Sequence, residues 1–212
     1  MDKQFWEARW TNNEIAFHEG QPNSLLKDHM KRLGLKPGDT VFVPLCGKAV
    51  DLDWLCDLSL VVVGIELNHE AAMSVFARMG LDPEITTIGN LKLLSTEGLK
   101  IYVGDFFDLS EELLGEVHAV YDRAALVALP EDIRQNYSKH LASISGNATQ
   151  LLISYDYDQS QTQGPPFSVP KSTIENLYSD GYEIELLESR DIQGPLTKRC
   201  RGAEFVLMMK AL

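Results

Sequence analysis

The sequence predicts an α/β fold in which helices cover both faces of a mostly parallel sheet. Strand-like and helix-like segments alternate along most of the 212 residues, and this alternation is typical of parallel sheets. The segment 60–65 (L-V-V-V-G-I) is apolar throughout, as expected of a strand buried on both faces. A hydrophobic content of 44% suits a chain with its own core, and we expect one domain over residues 1–212.

Each predicted element depends on a local signal. Seven strands are predicted, over residues 40–44, 60–65, 99–103, 117–121, 149–155, 182–187 and 203–209. Helices are predicted over residues 50–58, 69–79, 131–144 and 172–179. Gly80 ends the second helix and Pro130 precedes the third, as is usual at such positions. We expect the last two strands to pair antiparallel, because a polar connection with Gly194-Pro195 joins them.

Composition and charge exclude several classes of protein. A net charge of -12 repels phosphate backbones and anionic lipid, so a small-molecule partner is expected rather than nucleic acid or a membrane. Three scattered cysteines do not form a disulfide framework, and the N-terminus has no signal-peptide pattern. We therefore expect a reduced, cytoplasmic protein, and a monomer. The histidines and cysteines lack metal-ligand spacing, so no metal is expected.

The residues that follow the strands are the candidates for chemistry, because ligands of open parallel sheets bind outside the carboxyl ends of the strands. Gly47 follows the first strand and permits a close turn into a helix. Glu66 ends the second strand, 19 residues after Gly47, where a carboxylate can accept the hydroxyl protons of a ribose. The alternative for Glu66 is an exposed carboxylate at the end of a strand.

Two further pairs of residues follow the third and fourth strands. Asp105 could accept from an adenine amino group with Phe106 stacked on the ring, but the same pair is typical of a solvated turn with a core aromatic. Asp122 and Arg123 could pair with each other, or they could contact a ligand and a reacting group. The residues alone leave these alternatives open.

Several blocks, in this order, resemble one known family. They are W-x-x-R-W (6–10), A-F-H (16–18), V-F-V-P-L-C-G-K (41–48), V-V-G-I-E (62–66), D-R-A-A-L-V-A-L-P (122–130), S-Y-D (154–156) and G-P-P-F-S-V-P (164–170). The chain is thereby similar to the thiopurine S-methyltransferase family, and it resembles a bacterial member of that family. The resemblance extends from Trp6 to about Lys210.

The resemblance implies a class I methyltransferase fold, a Rossmann-like three-layer sandwich whose seven-stranded sheet has its last strand antiparallel. It implies S-adenosyl-L-methionine as cofactor and S-adenosyl-L-homocysteine as product. Residues 1–22 would be an N-terminal segment that covers the cofactor and is mobile without it. The cofactor-binding residues implied are Trp6, Trp10, Leu45, Gly47, Glu66, Asp105, Phe106 and Arg123.

The resemblance also implies where the methyl acceptor binds. Phe17, Phe167 and Arg199 would contact the acceptor, and Arg199 is preferred to Arg201 for the basic residue near it. As catalytic residues, Arg123 would favour the anion of an aromatic or heterocyclic thiol, and Asp122 would either orient Arg123 or accept a ring proton. Selenium or tellurium species are alternative acceptors. The competing hypotheses are a nicotinamide-dependent oxidoreductase and a sensor that binds a nucleoside without catalysis. The absence of G-x-G-x-x-G argues against the first.

Overall fold

The computed structural model describes residues 3–12, 14 and 18–212. Within these ranges the helices are α1 (Lys3–Thr11), α2 (Ser24–His29), α3 (Asp51–Asp57), α4 (His69–Met79), α5 (Glu111–Leu114), α6 (Glu131–Ile144) and α7 (Lys171–Tyr178). The strands are β1 (Thr40–Val43), β2 (Val61–Glu66), β3 (Glu84–Ile88), β4 (Leu91–Thr96), β5 (Leu99–Val103), β6 (Ala119–Arg123), β7 (Thr149–Tyr157), β8 (Tyr182–Asp191) and β9 (Gly202–Ala211).

All the strands belong to one sheet, in the order β3-β4-β5-β2-β1-β6-β7-β9-β8. Strands β5, β2, β1, β6 and β7 pair in parallel, and β9 lies antiparallel between β7 and β8. The predicted mostly parallel sheet is therefore confirmed. Strand β1 has β2 on one side and β6 on the other, so consecutive connections diverge from it and leave a crevice at its carboxyl end.

The prediction of seven strands is wrong, because the described residues form nine. The two additional strands, β3 and β4, form a hairpin that pairs antiparallel with the edge of β5. Most of β3 is exposed, so it lacks the apolar run that marks the buried strands. The sequence nevertheless contains a signal for this hairpin. Gly89 and Asn90 are the two residues between two β-rich segments, and such a connection is typical of a tight hairpin.

Helices α2 to α7 form one layer on each face of the sheet, because alternate strand residues point to opposite faces. In β1, Phe42 packs with one core cluster, whereas Val41 and Val43 pack with the other. The Phe42 cluster includes residues of α5, α6 and α7, and the Val41 cluster includes residues of α2, α3 and α4. The three-layer arrangement expected from the sequence follows from this alternation.

Candidate functional site

A cavity of about 610 Å³ lies at the carboxyl ends of the central strands. Its volume is in the range usual for sites that hold small molecules. Residues on both sides of β1 line it. We call the part formed by Trp6, Trp10, Leu45, Gly47 and Glu66 the Glu66 side, and the part formed by Arg123, Tyr155, Pro165, Arg199 and Glu204 the Arg123 side.

The Glu66 side is built around a buried carboxylate at the end of β2. Glu66 accepts hydrogen bonds from the backbone N–H groups of Gly47 and Asn68, each at 2.8 Å. Burial raises the pKa of Glu66, and the N–H donors and the Trp10 side chain oppose that rise. A buried carboxylate is costly unless it is hydrogen-bonded, so Glu66 is held in place as an acceptor.

The turn between β1 and α3 brings backbone against this carboxylate. Leu45 and Gly47 have φ values of 46° and 55°, and the Cys46 N–H donates to the Ile65 carbonyl at 2.9 Å. The left-handed conformation at Gly47 is one that glycine adopts without steric cost. The Cys46 side chain is buried, and burial raises the pKa of its thiol well above the usual value. Cys46 is therefore a packed thiol rather than a nucleophile.

Helix α1 covers the Glu66 side. Trp6 and Trp10, which the resemblance implies as residues that cover the cofactor, both line the cavity. The Trp10 side chain hydrogen-bonds to Glu66, and the Lys48 ammonium lies 5.7 Å from the centre of a Trp10 ring. A short helix is thus attached to the site through polar and cation–π contacts.

On the Arg123 side, the guanidinium at the end of β6 forms an ion pair that the sequence did not predict. Arg123 Nη2 lies 2.5 Å from Glu19 Oε1, and the other Glu19 oxygen accepts from the Asn23 side chain at 3.2 Å. Asn23 in turn caps α2, and its own N–H donates to Asp51 Oδ1 at 2.6 Å. Glu19 follows the A-F-H block, and no pattern in the sequence marked it.

Asp122 is adjacent to Arg123 in sequence, but its carboxylate lies on the other face of the sheet. It accepts from the Tyr137 hydroxyl at 2.7 Å and from the Leu126 N–H at 3.1 Å, and it is fully buried. Among the described residues that line the cavity, Asp122 is absent. The structure therefore does not bring Asp122 together with the other candidates, because successive strand side chains point in opposite directions.

Asp105 and Phe106 also lie away from the cavity lining in the described part of the chain. Phe106 is buried in the core, with its ring 4.9 Å from that of Tyr137. The Asp105 side chain accepts from the Phe107 N–H at 3.0 Å, which starts a 3-10 turn. The turn alternative weighed for this pair accounts for the contacts that the structure shows.

Three polar residues form a row across neighbouring strands on the Arg123 side. Glu204 of β9 is the register partner of Tyr155 in β7 and of Arg190 in β8. The buried Glu204 carboxylate accepts from Arg190 Nε and Nη2 at 2.9 and 2.8 Å, and it hydrogen-bonds to Tyr155. The sequence analysis missed this row. Its one signal was Glu204, a carboxylate at the start of the apolar run of β9, because β8 is too rich in charged residues for Arg190 to stand out.

The loop after β7 forms the outer wall of the Arg123 side. The Gly164-Pro165 and Pro165-Pro166 peptide bonds are both cis. Arg199 lines the cavity and donates to the Thr162 hydroxyl at 2.5 Å and to the Pro165 carbonyl at 3.3 Å, whereas Arg201 is not among the described lining residues.

Two aromatic side chains were also predicted to contact the acceptor. Phe167 is not among the described residues that line the cavity, and its ring centre lies 5.5 Å from the Arg134 guanidinium carbon. Phe17 is outside the described residues.

Within the described ranges, no group of three or more His, Cys, Asp or Glu side chains could hold a metal ion. In the same residues, every helix is too short or too polar to cross a membrane. His18 lines the cavity, and its Nδ1 has no hydrogen-bond partner in the described structure. Burial and the neighbouring cations Lys48, Arg78 and Arg123 lower the pKa of His18.

Solved structures show the same fold at low sequence identity. A methyltransferase dependent on S-adenosylmethionine from Anabaena variabilis superposes with a TM-score of 0.66 at 12% identity, over 99% of this chain and 95% of that chain. A Burkholderia thailandensis 1,6-didemethyltoxoflavin N1-methyltransferase, solved with S-adenosylhomocysteine, gives a TM-score of 0.65 at 13% identity, over 99% and 86% of the two chains. At these identities the likeness concerns the fold.

Sequence comparison is more specific. The family model described as Thiopurine S-methyltransferase (TPMT) matches residues 1–208. A thiopurine S-methyltransferase from Teredinibacter turnerae is 44% identical over 206 residues, which are 97% of this chain and 96% of the relative. One from Acinetobacter baylyi is 45% identical over 202 residues, which are 93% of each. The resemblance seen in the sequence is confirmed: the chain belongs to the thiopurine S-methyltransferase family.

Proposed function

We propose that the protein transfers a methyl group from S-adenosyl-L-methionine to the sulfur of an aromatic or heterocyclic thiol such as a thiopurine. The products are a methyl thioether and S-adenosyl-L-homocysteine. One observation carries the proposal beyond family membership: the buried Glu66 carboxylate and the Arg123 guanidinium line the same cavity from opposite sides of β1. Neither the oxidoreductase nor the sensor hypothesis gains support from the relatives described above.

The residues on the Glu66 side fit the cofactor. Glu66 would accept from the ribose hydroxyls, and the backbone at Leu45 and Gly47 would contact the methionine part. Trp6 and Trp10 would cover it and exclude water. When bound, S-adenosyl-L-methionine supplies a methyl group made electrophilic by the positive charge on its sulfur.

The residues on the Arg123 side would hold the acceptor. A soft sulfur nucleophile needs alignment and desolvation more than covalent help from the protein. The Arg123 guanidinium favours the thiolate over the thiol electrostatically, so a strong general base is unnecessary. Pro165, Pro166 and Leu196 provide apolar surface on the same side. Selenium and tellurium species are soft nucleophiles of the same kind, and the proposal includes them.

Calorimetric titration with S-adenosyl-L-homocysteine tests the cofactor part of the proposal. We expect micromolar binding by the wild type, which corresponds to about -8 kcal/mol. Glu66→Ala should weaken binding by about tenfold or more, because a hydrogen-bonded buried carboxylate is lost. Glu70→Ala is the matched control, since Glu70 is an exposed carboxylate of α4 outside the cavity lining.

The titration has two contradicting outcomes. No binding by folded wild type would contradict the cofactor assignment, and an unchanged affinity of Glu66→Ala would contradict the ribose contact. The sulfur acceptor is tested separately, by measuring S-adenosyl-L-homocysteine release with a panel of aromatic thiols. A wild type that binds the cofactor product but turns over none of these thiols would contradict the acceptor assignment alone.

A further inference from the structure

The contact between Glu19 and Arg123 is the starting point. The Arg123 side chain is 9% exposed, whereas the Glu19 side chain is 45% exposed. Glu19 is nonetheless fixed at both oxygens, by Arg123 at 2.5 Å and by Asn23 at 3.2 Å. Because Asn23 is itself buried and bonded to Asp51, Glu19 is held in place over the guanidinium.

Nearby carboxylates partly compensate the positive charge of Arg123 before any ligand binds. Glu19 contacts it directly, and the buried Asp51 carboxylate is also close enough to act on it electrostatically. Arg123 can then offset only part of any further negative charge, so an acceptor that carries a carboxylate in addition to its thiolate would meet Glu19 as a like charge. Because the Arg123 side chain is almost fully buried, water screens its interaction with a neighbouring carboxylate less than it screens an ion pair between two exposed side chains.

Two other arginines, Arg190 and Arg199, line the cavity near Arg123, and only one of them is paired with a carboxylate. Arg190 is compensated by Glu204, at 2.8 Å. Arg199 donates to two neutral oxygens, those of Thr162 and Pro165, and in the described structure no carboxylate forms an ion pair with it. Two of these three guanidinium groups are thus paired with carboxylates, and Glu19 is the more exposed of those two carboxylates.

We propose that Glu19 is a specificity-determining residue, which competes with the acceptor for Arg123 and thereby selects against acceptors that carry an additional negative charge. This inference rests on the proposed function and adds to it the charge class of the preferred acceptor. Glu19 acts through Arg123 and is a positioning residue rather than a catalytic one. Like charges placed close together are a general means of rejecting unwanted ligands.

The test compares 4-mercaptobenzoate with 4-mercaptobenzamide, which have nearly the same shape and differ by one negative charge. We expect Glu19→Gln to lower the KM for the benzoate by about tenfold more than the KM for the benzamide, since one close charge interaction is removed. A purely structural role would move both KM values together. Glu19→Asp retains the charge and should keep the KM ratio near that of the wild type.

Glu185→Gln is the matched control. Glu185 also forms an ion pair with an arginine, at 2.7 Å to Arg32, and it lies outside the described cavity lining. This variant changes the net charge by the same amount and should leave the KM ratio unchanged. A thermal unfolding midpoint for each variant shows that it is folded, and the exposure of Glu19 makes loss of folding unexpected.

A second readout does not depend on turnover. Benzoate and benzamide are titrated into wild type and Glu19→Gln, each saturated with S-adenosyl-L-homocysteine. A gain in benzoate affinity confined to Glu19→Gln would support the proposal. If both thiols are methylated but neither the KM ratio nor the benzoate affinity changes, the proposal is overturned while the proposed function stands. If neither thiol is methylated, the acceptor assignment fails, and the titrations still decide the role of Glu19.

Discussion

Asp122 and Arg123 are neighbours in the chain, but their side chains leave β6 on opposite faces of the sheet. Arg123 reaches the cavity and pairs with Glu19, whereas Asp122 accepts from Tyr137 in the core. The sequence showed an acid next to a base at a strand end, which suggested that both act together. Adjacent side chains of a strand point to opposite faces of the sheet, so we expect only Arg123 of this pair to contact a ligand.

The pH dependence of stability tests the position of Asp122. Burial raises the pKa of Asp122 from its ordinary 3.8 to about 6, despite the hydrogen bonds from Tyr137, Leu126 and Ala125. The folded state therefore binds this proton more tightly than the unfolded state does. The free energy of unfolding should fall as the pH rises from about 4 to about 6, by about 3 kcal/mol for this group, and then level off.

Asp122→Asn isolates this contribution from those of other buried acids. Urea unfolding of both proteins between pH 4 and pH 7 should show the wild type losing stability relative to the variant across that window. Parallel stability curves would contradict the assignment. Because Asp122 is not among the described lining residues, the variant should bind S-adenosyl-L-homocysteine like the wild type.

Whether the sequence predicts that a residue lines the cavity depends on whether nearby residues in the chain fix its position. Glu66, Gly47 and the tryptophans of α1 line the cavity because each follows or covers a strand end that the sequence marks clearly. Phe106 is not among the described residues that line the cavity, since an aromatic side chain next to a strand end can turn into the core as readily as toward a ligand. Glu19 could not be predicted, because its partner is 104 residues away in the chain.

At the scale of elements, α1 is the helix whose stability depends most on contacts with the rest of the protein. It has nine residues, and none of its described side chains is fully buried. Isolated helices of this length are marginal in water, so its stability has to come from contacts such as that of Trp10 with Glu66. We infer that α1 is among the least stable elements of the fold.

Hydrogen exchange tests this inference. Amides of α1 should exchange rapidly in the protein without ligand and slow by about tenfold or more with S-adenosyl-L-homocysteine, because covering a ligand adds contacts. Amides of α6, which is anchored by Tyr137 and Leu141 in the core, provide the internal control. Equal protection of α1 with and without the ligand would contradict the prediction.

Elements with a strong pattern were predicted closely, and those with a weak pattern were not. Helices α4 and α6 have the predicted bounds because turn and cap residues mark their ends. Strand β3 was missed because its side chains face solvent on the edge of the sheet. An exposed edge strand carries little periodicity, since only one of its neighbours constrains it.

At the scale of the whole molecule, charge and the two edges of the sheet favour a monomer. The net charge of -12 makes copies repel one another. The β3 edge is short, and β8 carries the Arg32–Glu185 and His29–Glu188 pairs. Charged or short edges discourage pairing between sheets. Light scattering at physiological salt should therefore give a mass near 23.7 kDa. Twice that mass would contradict the expectation.

The division of the cavity by β1 has a consequence for how such a protein can diverge. The strand-end residues of the Glu66 side come from positions 45–67, and most of those of the Arg123 side come from positions 123–204. Genetic exchange between relatives, with a crossover after β5, would therefore combine one parent's Glu66 side, together with Glu19, with the other parent's strand-end residues of the Arg123 side. Under the proposed function, new acceptor preferences can arise in this way without rebuilding the side of the cavity that we propose for the methyl donor.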